Sequence, residues 1–306
     1  MSYLALPHEG RADRLAFAEA RWQAVARSRP DLEPALGLQR NLLGLVIDLA
    51  EQIERGPLPR LTLPPRYLAA KLARGVPALA GEPIPLPVPL LEDALLHLCD
   101  ALASGGAGEA AAHIRAQLDT GRLDGGSLLA ASLGRDQHAI RAGALQRGLA
   151  PDLVWLVAEL AASPYVHALQ RALLGADDPI LAPVLNAWSL GYCPACGSWP
   201  ALAEVASLRR TLRCSFCAAA WVPDTHTCIY CGDASGQFAV SILDGQRSDR
   251  RLEMCGACHA YLKTIDVAQL SPFPLLAIGD LETLDLDFTA MQAGYSRPAM
   301  KELVKR

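Results

Sequence analysis

Gly191-Tyr-Cys-Pro-Ala-Cys-Gly197, Cys214-Ser-Phe-Cys217, Cys228-Ile-Tyr-Cys-Gly232 and Cys255-Gly-Ala-Cys-His259 place eight of the nine cysteines in four Cys-x-x-Cys pairs. Two residues between cysteines form a tight knuckle that sets both sulfurs ~2.3 Å from one tetrahedral ion. Glycine at 197 and 232 suits the positive φ of such a turn. One knuckle supplies only two ligands, so the four must combine, and sequence neighbours offer the simplest solution. Cys193, Cys196, Cys214 and Cys217 then form one group across a gap of 17 residues, and Cys228, Cys231, Cys255 and Cys258 a second across 23. Both gaps suit ribbons whose β-hairpins carry the knuckles, with Leu202–Val205 and Gln237–Ile242 as strand-like runs. In a crossed alternative the first and last knuckles share an ion.

Upstream of Gly191 the texture is helical. Leu15, Ala18, Trp22 and Val25 form one stripe of a helix that stops at Ser28-Arg-Pro30. A second runs from about Pro34 to Arg55 and ends at Gly56-Pro57. Residues 77–89 contain five prolines and read as extended, either a strap over helices or a docking strand for a partner. Helices are expected again at 90–103, 108–119, 127–133, 136–147, 151–162, 165–174 and 179–189, with Asp136 and Asp178 as starts. Glycine-rich stretches at Ser104–Gly108 and Asp124–Gly126 read as breaks. Leu281–Lys305 returns to helical periodicity and is expected to pack back on the body. The expected fold is multidomain α+β. It comprises an α-helical domain over 1–190 with its proline-rich strap at 77–89, a first four-cysteine ribbon over 191–225, and a second over 226–306 with a helical tail.

Composition bounds the function. The chain has 306 residues and a formal charge of −4, and residues 191–306 hold 11 Lys and Arg against 12 Asp and Glu. A ribbon that grips phosphate backbones should be basic, so nucleic acid is not an expected partner. No start resembling a secretory signal is present, and apolar stretches such as Leu153–Ala162 fall short of the ~18 to 20 residues of a membrane helix. A soluble cytoplasmic protein without membrane insertion is expected, and there paired cysteines point to metal or redox chemistry rather than disulfides. A homo-oligomer is compatible with the sequence.

Four thiolates around a divalent ion leave about two net negative charges. Arg209, Arg210, Arg213, Arg247, Arg250 and Arg251 are read as solvated charges or as donors offsetting them, with recognition of an acidic partner as the alternative. Cys99, at helical spacing from Leu91, Leu95 and Leu102, reads as a small core residue. Cys255-Gly-Ala-Cys258-His259 matches the haem-attachment pattern, but that chemistry belongs to exported proteins and leaves the other pairs unexplained. His226 and His259 could each replace a thiolate, although eight cysteines already fill two tetrahedra. Closed four-thiolate sites have no open position for activating water, and no other catalytic constellation emerges, so no enzyme is expected. A DnaJ-type chaperone would show Cys-x-x-Cys-x-Gly-x-Gly, which Cys196-Gly-Ser-Trp199 does not. An interaction or maturation protein is left, with a nucleic-acid-binding ribbon or a thiol/iron redox protein as alternatives.

The knuckles carry a specific resemblance. Gly191–Pro200, Leu212–Cys217 with Trp221, Cys228–Cys231, Cys255–Asp266, Leu281–Asp287 and Ala293-Gly-Tyr295 resemble the FdhE family of formate dehydrogenase accessory proteins. The resemblance is strong over 191–296 and weak before it. It implies an α-helical N-terminal domain, rubredoxin-like C-terminal modules, and a cytoplasmic factor that binds the catalytic subunit of formate dehydrogenase and is needed for its maturation before export. It also associates the two four-cysteine sites with iron, where general frequency would favour zinc; both accept tetrahedral sulfur.

Overall fold

The computed structural model describes residues 3–7, 9–56, 61, 63–175, 178–223, 227–235, 238–241 and 249–298. The chain separates into two compact units that do not follow the sequence in order. One comprises residues 1–8, 63–80 and 170–306, the other residues 9–62 and 81–169. These units, each held together by its own contacts, cut across the sequence boundary expected near residue 190. Three segments from the helical part of the sequence belong to the unit that carries the cysteines.

After strand β1 (Tyr3–Leu4), helices α1 (Arg11–Ser28) and α2 (Glu33–Arg55) follow as the periodicity predicts. Helix α3 (Pro65–Leu72) was not expected, because Pro64 at its cap and Pro65 as its first residue mask its start. They stand at the helix N-terminus, where a missing N–H costs nothing. Then come α4 (Val88–Leu102), α5 (Gly108–Asp119), α6 (Gly125–Leu133), α7 (Gln137–Gln146), α8 (Pro151–Leu173) and α9 (Leu181–Asn186). Asp136 caps α7 by accepting from Ala139 N at 2.9 Å, and Asp178 accepts from Ile180 N and Leu181 N. Asp124–Gly126 is a helix start rather than a break: Asp124 accepts from Ser127 N at 2.7 Å and Gly125 already belongs to α6.

Two helices expected on either side of Pro164 are one continuous α8. A proline inside a helix removes one N–H donor to the carbonyl four residues earlier. Here Ser163 Oγ donates to that carbonyl, Leu160 O, at 3.4 Å, so the hydroxyl replaces the missing donor. In the helical unit, Leu42, Val46, Ile47, Leu49 and Ile53 of α2 and Leu91, Leu95, Leu98 and Cys99 of α4 are buried. Pro85, in the proline-rich strap, accepts a hydrogen bond from Tyr165 OH of α8.

In the cysteine-bearing unit, seven strands form one sheet: β1, β2 (Pro200–Ala206), β3 (Arg209–Cys214), β4 (Ala220–Trp221), β5 (Phe238–Ser241), β6 (Arg250–Cys255) and β7 (Ala260–Asp266), in the order β1-β4-β3-β2-β7-β6-β5. The two expected four-cysteine ribbons are both present, each with its own thiol group. Strand β2 pairs with β7 in parallel, Ala203 opposite Thr264 and Val205 opposite Asp266, so both ribbons share one sheet. The remaining pairs are antiparallel, including Tyr3 opposite Trp221. Strand β7 lies beyond the last cysteine, where no knuckle spacing could mark it.

Glu204 on β2 and Arg213 on β3 are both fully buried and form an ion pair. Ser271 closes it, donating through its N–H and Oγ to Glu204 while its carbonyl accepts from Arg213 at 2.7 Å. A buried pair is tolerable only with such additional hydrogen bonds. The tail forms α10 (Leu276–Glu282) and α11 (Leu284–Gln292), and residues 299–305 of the expected helical stretch lie outside the described residues. Leu286 and Ala290 of α11 pack on Leu252 and Tyr261 of the sheet. Buried Lys263 of β7 donates to Asp287 at 2.7 Å and to the Asp280 carbonyl at 2.8 Å, which fixes both helices to the sheet.

Candidate metal centres

The first, third and fourth knuckles are turns closed by their own backbone. Gly197 N donates to Cys193 O at 3.0 Å, Gly232 N to Cys228 O at 2.8 Å and His259 N to Cys255 O at 2.9 Å. The residue after the second cysteine has positive φ in all four: 82° at Gly197, 56° at Ala218, 76° at Gly232 and 53° at His259. Glycine marks only two of these positions in sequence. Ala218 and His259 adopt the same left-handed conformation at a cost of ~1 to 2 kcal/mol each.

The thiols gather in sequence order. Cys193, Cys196, Cys214 and Cys217 form one group and Cys228, Cys231, Cys255 and Cys258 the other, the sulfurs of each within 4.8 Å of one another. In the first group Cys193 and Cys217 lie 3.6 Å apart and Cys196 and Cys214 3.5 Å. In the second, Cys228 and Cys258 lie 3.7 Å apart and Cys231 and Cys255 3.8 Å. Four sulfurs ~2.3 Å from a central ion stand ~3.8 Å apart along the edges of their tetrahedron, whereas a disulfide would bring two to ~2.05 Å. Both groups therefore fit a four-coordinate ion and neither fits a pair of disulfides.

The surroundings of the two groups differ. All four cysteines of the first are buried, none more than 4% exposed. Burial pushes the Cys193 and Cys217 thiols well above their ordinary range, so a cation is what would make them thiolates. Phe216 N and Cys217 N donate to Cys214 Sγ, each at 3.4 Å, and Ser198 Oγ lies 3.2 Å from Cys196 Sγ. Fully buried Trp221 donates its indole N–H to Leu190 O at 3.0 Å, and buried Tyr3 covers its edge of the sheet.

In the second group Cys228 and Cys255 are buried, while Cys231 and Cys258 are accessible to solvent. Burial raises the Cys228 thiol. Burial also acts to raise Cys255, but N–H groups of Cys258 and Ala257 donating to its sulfur outweigh it, and the thiol lies below its ordinary value. A cleft of about 230 Å³ reaches Cys228 and Cys231 and is lined by Tyr192, Trp199 and Tyr230. These rings run edge to face from the first knuckle to the third, Tyr192 to Trp199 at 6.0 Å and Trp199 to Tyr230 at 5.1 Å. Tyr230, between the two cysteines of a knuckle, and Trp199, just past another, were legible as motif residues; their convergence was not.

The arginines are not free charges. Arg210 pairs with Glu253, Arg213 with Glu204, Arg250 with Glu282 and Arg251 with Asp266, and Arg209 also has a partner; Arg247 lies outside the described residues. Only the reading of Arg213 as a donor near the thiolates holds in part: it donates to Ala218 O of the second knuckle. The His259 ring lies tilted against that of Tyr295 at 5.7 Å and belongs to neither thiol group, and His226 lies outside the described residues. Cys99 is fully buried in the helical unit, and burial pushes its thiol up to about 12.

No family model matches the chain. Over 116 residues it is 28% identical to an FdhE homologue of Aquifex aeolicus, covering 35% of this chain and 40% of that one. Over 123 residues it is 35% identical to an FdhE homologue of Pseudomonas putida, covering 37% and 38%. The match thus spans about two fifths of the length of these curated relatives. The crystal structure of the FdhE protein from Pseudomonas aeruginosa aligns with 99% of each chain, with a TM-score of 0.60 and 26% identity. A partial likeness in sequence and a likeness in fold along the whole length lead to one conclusion: the chain is similar to the FdhE proteins.

Proposed function

We propose that the chain binds a metal ion at each four-cysteine group and acts in the cytoplasm as an accessory factor. In this reading it binds the catalytic subunit of formate dehydrogenase and is required for that enzyme's maturation before export. The observation that carries this reading is the two tetrahedral thiol groups set in one sheet of an FdhE-like fold. Closed four-thiolate centres serve folding or electron and ligand exchange rather than water activation, in keeping with a non-catalytic role. No helix among the described residues is long and apolar enough to cross a membrane.

The ions are proposed to be iron, for which a four-sulfur tetrahedron is suitable. Protein purified without oxygen from iron-replete cells should contain iron and turn reddish on oxidation; zinc alone under both aerobic and anaerobic preparation would refute this. The client is tested by deleting the gene. Respiratory formate oxidation should be lost while the formate dehydrogenase polypeptide is still made, and the tagged chain should co-purify with the catalytic subunit. Normal activity in a deletion strain with no second copy would overturn the assignment.

A further inference from the structure

We infer that the two centres have different roles: the first is a permanent structural site, and the second is an exchange site that takes an incoming sulfur donor beside Cys231. This rests on the reading that both groups hold a metal ion. The first group is sealed, with every cysteine buried, Tyr3 and Trp221 packed on its side of the sheet, and residues 78 and 79 pinned to its knuckle through Ala78 N to Pro194 O at 2.8 Å and Leu79 N to Ala195 O at 2.9 Å. An incoming ligand has no approach without unfolding one of these segments. The second group presents Cys231 and Cys258 to solvent, and the cleft of about 230 Å³ opens directly onto Cys228 and Cys231.

The walls of that cleft indicate the ligand's chemistry. Tyr192, Trp199 and Tyr230 present aromatic faces and edges, which favour contact with a polarisable sulfur. A thiol is also the donor type that a thiolate-bound ion accepts in place of one of its own ligands. In the exchange the bond from Cys231 sulfur to the ion breaks and a bond from the incoming sulfur forms. The proton of the incoming thiol passes to Cys231. No oxidation or reduction is involved, so the step balances with either iron or zinc.

The test uses the full chain reconstituted with zinc and a chromogenic zinc chelator. Zinc should leave in two phases of one equivalent each, the fast phase ~10-fold or more ahead of the slow one, on the scale that a ligand's surroundings contribute. N-ethylmaleimide followed by peptide mapping should label Cys231 and Cys258 before any of Cys193, Cys196, Cys214 and Cys217. Added thiol should speed the fast phase only. Acceleration by glutathione assigns a small thiol, and acceleration by a cysteine-containing peptide beyond both glutathione and its serine counterpart assigns a cysteine of a protein partner. Release of two equivalents in one phase, first labelling of the first group, or no acceleration by any thiol would overturn the inference. Fewer than two bound equivalents at the start would instead refute the two-centre reading on which it rests.

Discussion

Gly191 and Ile229 meet backbone to backbone: a β-carbon on Gly191 would lie 1.8 Å from the Ile229 carbonyl oxygen. Gly191 stands two residues ahead of the first knuckle and Ile229 sits inside the third, so the missing side chain lets the two knuckles abut. Read in sequence, this glycine marks a change of texture; in the fold it is the point of closest approach.

Gly191→Ala must therefore push the knuckles apart, because the obstructing atom is backbone and cannot rotate away. Overpacking of this kind costs ~1 to 3 kcal/mol. The expected outcome is a lower urea midpoint with altered near-ultraviolet dichroism, since Trp199 and Tyr230 lose their 5.1 Å contact. An unchanged midpoint and spectrum would show that the backbone yields freely there.

Glu204→Ala leaves the Arg213 guanidinium buried without its carboxylate and removes both acceptors of Ser271. Breaking one side of a buried pair costs ~3 to 5 kcal/mol. The double substitution Glu204→Leu with Arg213→Met removes both charges and should be less destabilising than Glu204→Ala alone, as read by chemical denaturation. Additive losses would mean that the pair is not coupled as its geometry requires.

Cys228→Ser should reduce bound metal to about one equivalent and lower protease resistance over β5–β7, because ion binding supplies much of the folding energy of a small ribbon. Cys99→Ser should leave metal content at its original value, since that thiol lies in the helical unit, apart from both groups. Metal analysis and limited proteolysis check both. A folded, metal-replete Cys228→Ser protein would rule out Cys228 as a ligand.

Asp280 accepts from Lys263 and Arg297, at 2.7 Å and 2.5 Å. Burial acts to raise its pKa, but Arg297 and Lys263 outweigh that and hold the carboxyl below its ordinary range. A depressed folded-state pKa gives stability that is fully present above the unfolded value of ~3.9 and lost as pH falls through the folded value. Asp280→Asn should be less stable than the parent near neutrality, with the gap narrowing below about pH 4. Urea midpoints measured across the acid range test this, and a constant gap at every pH would count against it.

The sequence alone determined the local features: the four knuckles, the caps at Asp136 and Asp178, and the helices whose apolar residues recur every three or four positions. Each of these is set by residues only a few positions apart, where chain geometry leaves little choice. Tertiary structure decided the rest. The parallel pairing of Ala203 with Thr264 joins two ribbons into one sheet across 61 positions, and Tyr3 completes the far edge against Trp221. Ser163 lets α8 pass through Pro164, Arg213 is buried rather than solvated, and the two thiol groups differ in their access to water. No local pattern encodes these relationships, because each depends on what a distant segment buries, and burial is a property of the assembled fold.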